Sequence, residues 1–357
     1  MSLRVFCLTA LLFVTTVHAQ QPGPDEEAMT PEEAAQTQMA QEAAATYFTR
    51  AATGLAAKGG ARELAFAATL LPLATSPPPT QAGPEAGGGP SQPSPRDPRV
   101  DEWRGLASAR AGKDVVANAM LMPADSFDGS GAAQARRQGI ERWQRLEPDN
   151  LAPRLFENMP ADAWLSGAAA YTRNDLHYYE QARWMQSALR AYTPSPAEGS
   201  ALTGIQEAPV DAAAVVTALG ILSAMPMPAL QPLFEACRGD ALASTPTRRS
   251  ECRHVGQVMA DASDTSLGTS VGIRLLDLTA TTAEERAEAV ARRRRFDWQM
   301  SQWGRLSSGE PIGGAEQFER LLRDPVIRNE QDLIERVLKE GGVALDPPAG
   351  WTSPWQH

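Results

Sequence analysis

Thr30-Pro31-Glu32-Glu33, followed by Glu32–Ala57 as EEAAQTQMAQEAAATYFTRAATGLAA, is the stretch whose reading decides the fold. A threonine N-cap, proline at the first helical position and a glutamate reaching back from the third form a capping box. Good helix formers then run unbroken to Gly59-Gly60, where glycine ends the run. ARELAFAATLLP from Ala61 to Pro72 reads as a second, apolar helix that stops at its proline.

The same helical language continues from Val100. Period-two alternation, the mark of a strand, is almost absent. AAAVVTALGILSAM from Ala212 to Met225 lies between Pro209 and Pro226 and is too short for a bilayer, so it reads as a buried core helix. Thr281 and Thr282 precede Glu284 and Glu285 as paired capping signals for a long helix into Trp303. Asp324-Pro325 is expected to open a last helix that Gly341-Gly342 stops after Lys339. The expected fold class is all-α, with helix-turn-helix pairs stacked into an irregular solenoid or bundle.

Ser76 to Arg99 interrupts this pattern with eight prolines and four glycines in twenty-four residues. Such a composition buries too little apolar surface to offset the entropy of ordering it, so it reads as a linker or exposed insertion. The resulting division is a signal at 1–19, a helical segment at 20–75, the linker at 76–99, a helical domain at 100–341 and a tail at 342–357.

At the N-terminus, MSLRVFCLTALLFVTTVHA carries the positive Arg4, an apolar run from Val5 to Val17 and a small-residue cleavage site at Val17-His18-Ala19. These are the parts of a secretory signal. The run falls short of the ~20 apolar residues that span a hydrocarbon core, so cleavage near Ala19 is expected rather than anchoring. Cys7 lies inside this segment and not at its end, which argues against a lipid-modified cysteine. Only three of the 33 basic residues are lysine, and Ala, Arg, Gly and Pro abound, a composition of GC-rich codons. Together these suggest a bacterial protein sent to the periplasm or beyond. Losing Arg4 moves the formal charge from −10 to −11, which opposes nonspecific nucleic-acid binding.

The mature chain would keep Cys237 and Cys252, and an oxidising compartment favours joining them as a structural disulfide. Their spacing is too wide for a Cys-x-x-Cys redox pair.

WRGLASARAGKD from Trp103 to Asp114 and WLSGAAAYTRND from Trp164 to Asp175 align by Trp, two Ala and a terminal Asp, which suggests a repeated helix-turn-helix. The second resembles a tetratricopeptide unit over about residues 141–194. Trp164 and Tyr171 stand at the spacing of the unit's first helix with Ala168 between them, Trp184 falls in the second helix, Pro194 lies near its end, and LEPDNLAP at Leu146–Pro153 looks like the connector. Glu180 departs from the small residue expected where the two helices touch, and the Trp103 segment has Arg110 in place of the tyrosine. The resemblance implies that the three aromatics fill one inter-helix gap, and that Asp162, Leu165, Ala169, Thr172 and Arg173 face a groove that holds a protein or peptide.

Catalytic patterns are weaker. His177 and Glu180, three apart on an expected helix, could face one metal, but nothing nearby completes a ligand set, so no metal or cofactor is expected. Gly268-Thr269-Ser270-Val271-Gly272 matches a nucleophile elbow, yet its flanks look helical and lack the required strand. Asp261 and Asp264 are spaced like many acids in an acidic chain. The run Arg292–Arg295 follows Glu284, Glu285 and Glu288, for which an intrahelical salt-bridge network is the expectation and an acidic docking partner the alternative. The functional expectation is an exported binding or scaffolding module. The alternatives are an all-α periplasmic enzyme acting on cell-wall material and an inhibitor of a secreted enzyme.

Overall fold

The structure is a computed structural model that describes residues 30–75, 97–122, 130–157, 159–205, 210–223, 225, 228–307 and 311–355. The expected signal at 1–19 and most of the expected linker lie outside the described residues. Among the described residues the chain forms sixteen α-helices, and its only β-type pairing is two isolated bridges, Asn150 with Arg173 and Asn174 with Ser263. The fold is all-α, as expected. No described helix is long and apolar enough to cross a membrane.

Helix α1 (Pro31–Lys58) begins with the capping box: Thr30 accepts from the Glu33 amide while the Glu33 carboxylate accepts from the Thr30 amide. Gly59 closes it at a φ of +73°, a left-handed conformation that disfavours any side chain. Helix α2 (Ala61–Thr75) doubles back, burying Tyr47, Leu55, Phe66 and Leu70 completely. It also runs through Pro72 to Thr75, contrary to the expected stop. Burial of Leu70 and Leu71 against the core outweighs the one backbone hydrogen bond that the proline forfeits.

Helix α3 (Pro98–Ala111) starts inside the expected linker, because Asp97 caps it through the Arg99 amide and Pro98 occupies its first position. After a tight turn at Gly112, Asp114 caps α4 (Val115–Ala119), so the Trp103 segment is the expected helix-turn-helix. Helices α5 (Ser130–Leu146), α6 (Ala152–Leu155) and α7 (Asp162–Leu165) follow.

The Trp164 segment differs from the expected helix pair. Its first helix lasts four residues, a 3-10 turn covers Ala168–Ala170, and the chain then runs extended until α8 (Tyr178–Leu189). Backbone pairing explains this outcome. The Thr172 amide donates to Asp149, Leu151 to Arg173, Asn174 to Ala262 and Asp264 to Asn174, so long-range bonds replace the local helical ones.

Helices α9 (Pro196–Thr203), α10 (Val210–Ser223), α11 (Gln231–Ala236), α12 (Arg248–Ala262), α13 (Ser266–Thr279), α14 (Ala283–Ser307), α15 (Pro311–Arg323) and α16 (Glu330–Glu340) complete the chain. The buried Ala212–Met225 helix is present as α10, and Thr282 with Glu285 caps α14. Helix α16 starts five residues later than expected, because the side chain of Asn329 is its cap while Asp324 folds a turn by accepting from the Val326 amide.

Two apolar clusters result. The larger draws on α1 to α5, α8, α10, α15 and α16, so the helices before and after the proline-rich segment share one core. The smaller joins α7, α11, α12 and α13 with Leu151, Leu155 and Tyr171. Cys237 and Cys252, both fully buried, form a disulfide inside it, with 5.6 Å between their Cα atoms. Trp164 packs edge-on against Tyr171 in the smaller cluster, whereas Trp184 packs edge-on against Phe66 at the larger one. The three aromatics therefore do not share one gap.

Candidate functional site

Where the two clusters meet, four segments converge on the start of α8. They are the turn after α5 at Glu147–Asn150, the extended Thr172–His177, the α12–α13 turn at Ser263–Thr265, and the start of α16. His177 is the hinge of this junction. Its φ of +55° makes it the only non-glycine with a left-handed backbone among the described residues. It is 9% exposed and packs 5.9 Å from the Trp143 ring.

The expected His177–Glu180 proximity is real, but the arrangement is an ion pair. Nδ1 lies 2.8 Å from Glu180 Oε2 and Nε2 lies 2.9 Å from Glu147 Oε2, so both ring nitrogens are engaged by carboxylates. Burial opposes charge on the imidazole. Hydrogen bonds to Glu147 and Glu180, with Asp175 close by, outweigh it and hold the pKa up at about 10. Burial likewise opposes charge on Glu147, but bonds from His177, Asn150 and Trp143 Nε1 bring it down to about 2.

Asp264, 5% exposed, accepts from the Leu176 amide at 2.9 Å and the Tyr178 amide at 2.9 Å, capping α8 from another helix pair. Burial and the neighbouring Asp175 push its carboxyl up to about 8, against the pull of the two amides. Glu330 repeats the device, accepting from the Ser266 amide at the start of α13, with loss of water raising its pKa. Carboxyl oxygens at helix N-termini fill open amide valences. Asp264 is thus a structural cap with both oxygens occupied. The other member of its sequence pair, Asp261, pairs with Arg292 at the surface.

Beside this network is a small apolar cavity of about 60 Å³ whose walls include Met122, Trp143, Phe156, Tyr178, Leu222 and Met225. Gln181 also lines it. Sequence spacing could not reveal this junction, since Glu147, His177, Asp264 and Glu330 come from four separate segments. The one local clue was the His177–Glu180 interval.

The groove positions implied by the tetratricopeptide resemblance scatter. Leu165 is fully buried in the smaller cluster and offers nothing to a partner, because the segment turns where a helix face was expected. Ala169 is exposed, Asp162 pairs with Arg248, and Thr172 donates to Asp149. Arg173 lies between Glu147, Asp149 and Asp175.

The Gly268–Gly272 motif lies inside α13, with no strand before it. A Cβ on Gly272 would collide with the backbone of Met259 and Ala260, so the glycine permits close helix crossing. Ser270 accepts from Arg293 through its Oγ and its carbonyl. The arginine run is mostly tertiary rather than intrahelical. Only Arg292–Glu288 and Arg293–Asp297 stay on α14, while Arg294 donates to Pro348 and Trp351 and Arg295 pairs with Glu335 and Asp346. His254 bonds the Tyr171 carbonyl, and His357 lies outside the described residues.

Comparison with protein-family models, curated proteins and solved structures finds no match. Fold and site therefore define the class, an all-α protein whose buried polar cluster locks two apolar cores together.

Proposed function

We propose that this chain is exported through its N-terminal signal, cleaved near Ala19, and serves in the periplasm or outside the cell as a protein-binding or scaffolding module. The observation that carries the binding part is the free end of α1. Residues 31–42 of this helix are all exposed, and Met39, at 69%, is the most exposed large apolar side chain among the described residues. Those twelve residues make a rod about 18 Å long. A capped helix carrying an exposed methionine suits a partner that receives it in an apolar groove. The Cys237–Cys252 disulfide supports the oxidising address.

The acids and histidine at the α8 junction are spent on caps and ion pairs, which favours this reading over a cell-wall enzyme. Affinity isolation of the C-terminally tagged protein from a periplasmic extract, followed by mass spectrometry, tests both parts. The expected result is a chain beginning near Gln20 together with a stoichiometric second protein. A chain retaining Met1, or an isolate with no partner that turns over a small molecule, would contradict it.

A further inference from the structure

The cavity beside Trp143 has a polar inventory that points to a ligand. Four of its lining residues carry polar side-chain atoms. Trp143 Nε1 donates to Glu147, and Thr265 Oγ1 accepts from the Gly268 amide. Gln181 keeps an acceptor with no partner. Its side chain is 5% exposed and its Nε2 donates to the Leu176 carbonyl at 2.9 Å, which fixes the orientation of the amide. Its Oε1 is buried with no hydrogen-bond partner. A buried acceptor left unpaired carries its full desolvation cost, so such an atom invites a donor.

One water needs about 10–15 Å³ of cavity volume, so 60 Å³ is room for about four to six, or for a molecule of about that many non-hydrogen atoms. An apolar cavity that takes a benzene ring has ~150 Å³, so a six-membered ring is too large. Among the described residues the walls are mostly aromatic rings, methionines and leucines, which offer waters few partners. An apolar body with a single donor for Gln181 Oε1 matches this lining better. No charged side chain is among the described lining residues, so a charged ligand would enter at a full desolvation cost.

We propose that this cavity is a binding site for a small neutral aliphatic molecule of about four to six non-hydrogen atoms bearing one hydroxyl or N–H group, which donates to Gln181 Oε1. The site is remote in character from the exposed end of α1 and uses none of its residues, so either can fail without the other.

Isothermal titration of the full mature protein with 2-butanol and, separately, butanone, which has the same carbon skeleton and no donor, tests the proposal. 2-Butanol is expected to bind saturably, and about threefold to tenfold more tightly than butanone, the value of one neutral hydrogen bond. Gln181→Met, close in volume, should erase that preference, and Met225→Trp should fill the cavity and abolish binding of both, with folding checked by circular dichroism. Absence of saturable 2-butanol binding to the wild type, or an unchanged preference in Gln181→Met, would overturn the proposal. Should Gln181→Met not fold, 2-butanol binding retained by folded Met225→Trp would overturn it equally.

Discussion

At the scale of single residues, His177 joins the two halves of the junction. Its left-handed backbone turns the extended segment into α8, and its ring pairs with Glu147 across the boundary between the clusters. The pH dependence follows from the direction of each shift. The pKa of His177 is raised, so its contribution is complete below its ordinary 6.5 and is lost as pH climbs through about 10. That of Glu147 is depressed, so its contribution is complete above 4.5 and is lost as pH falls through about 2. The pair therefore stabilises fully between pH 4.5 and 6.5. Asp264, raised from 3.8 to about 8, contributes fully below 3.8 and is lost as pH climbs through about 8, so its decline runs across the pair's window. His177→Asn tolerates the left-handed backbone but removes the cation. It should cost about 2–4 kcal/mol, mostly through the uncompensated Glu147, since the Glu180 pair is open to solvent. Urea unfolding at pH 5.5 and pH 10 checks this, with the loss expected at the first and largely absent at the second. Equal losses at both would refute the electrostatic account.

At the scale of elements, α12 and α13 pack closely because glycines stand where they cross. Gly272→Ala drives a methyl group into the backbone of Met259 and Ala260, which cannot move as a side-chain tip would. Its expected cost is about 3 kcal/mol, read as a shift in the urea midpoint. Gly304→Ala, whose added Cβ meets open space on α14, should stabilise by about 0.5–1 kcal/mol instead. Destabilisation by both would mean that backbone effects rather than crowding dominate. These elements also show what could be read from sequence. The boxes at Thr30–Glu33 and Thr282–Glu285 are local devices whose partners lie three residues away, and both form where their spacing says. The Trp164 segment has similar local signals, yet its backbone pairs with residues 149–151 and 262–264, and no short window contains that information. The same holds for the candidate site, whose His177–Glu180 contact was legible while Glu147, Asp264 and Gln181 were not.

For the whole molecule, the staple and the tail matter most. Cys237 and Cys252 are fifteen residues apart, and replacing both with alanine should cost about 3 kcal/mol on a chain-entropy account. The loss should fall on the smaller cluster, so the near-ultraviolet signal of Trp164 is a suitable readout. The C-terminal residues are fastened along α14: Trp298 donates to the Ala344 carbonyl, Gln299 to Leu345, and Trp298 stacks edge-on with Trp351. The arginine run thus serves the fold, whereas residues 31–42 of α1 are all exposed. The binding claim rests there, and Met39 lies far enough along the exposed turns that Met39→Asp should leave folding intact. Quantifying the partner recovered from periplasmic extract by wild-type and Met39→Asp protein tests it most directly. The account expects the variant to lose at least about tenfold of the partner, as for a central apolar anchor, while its circular dichroism is unchanged. Equal recovery by the two proteins would contradict it.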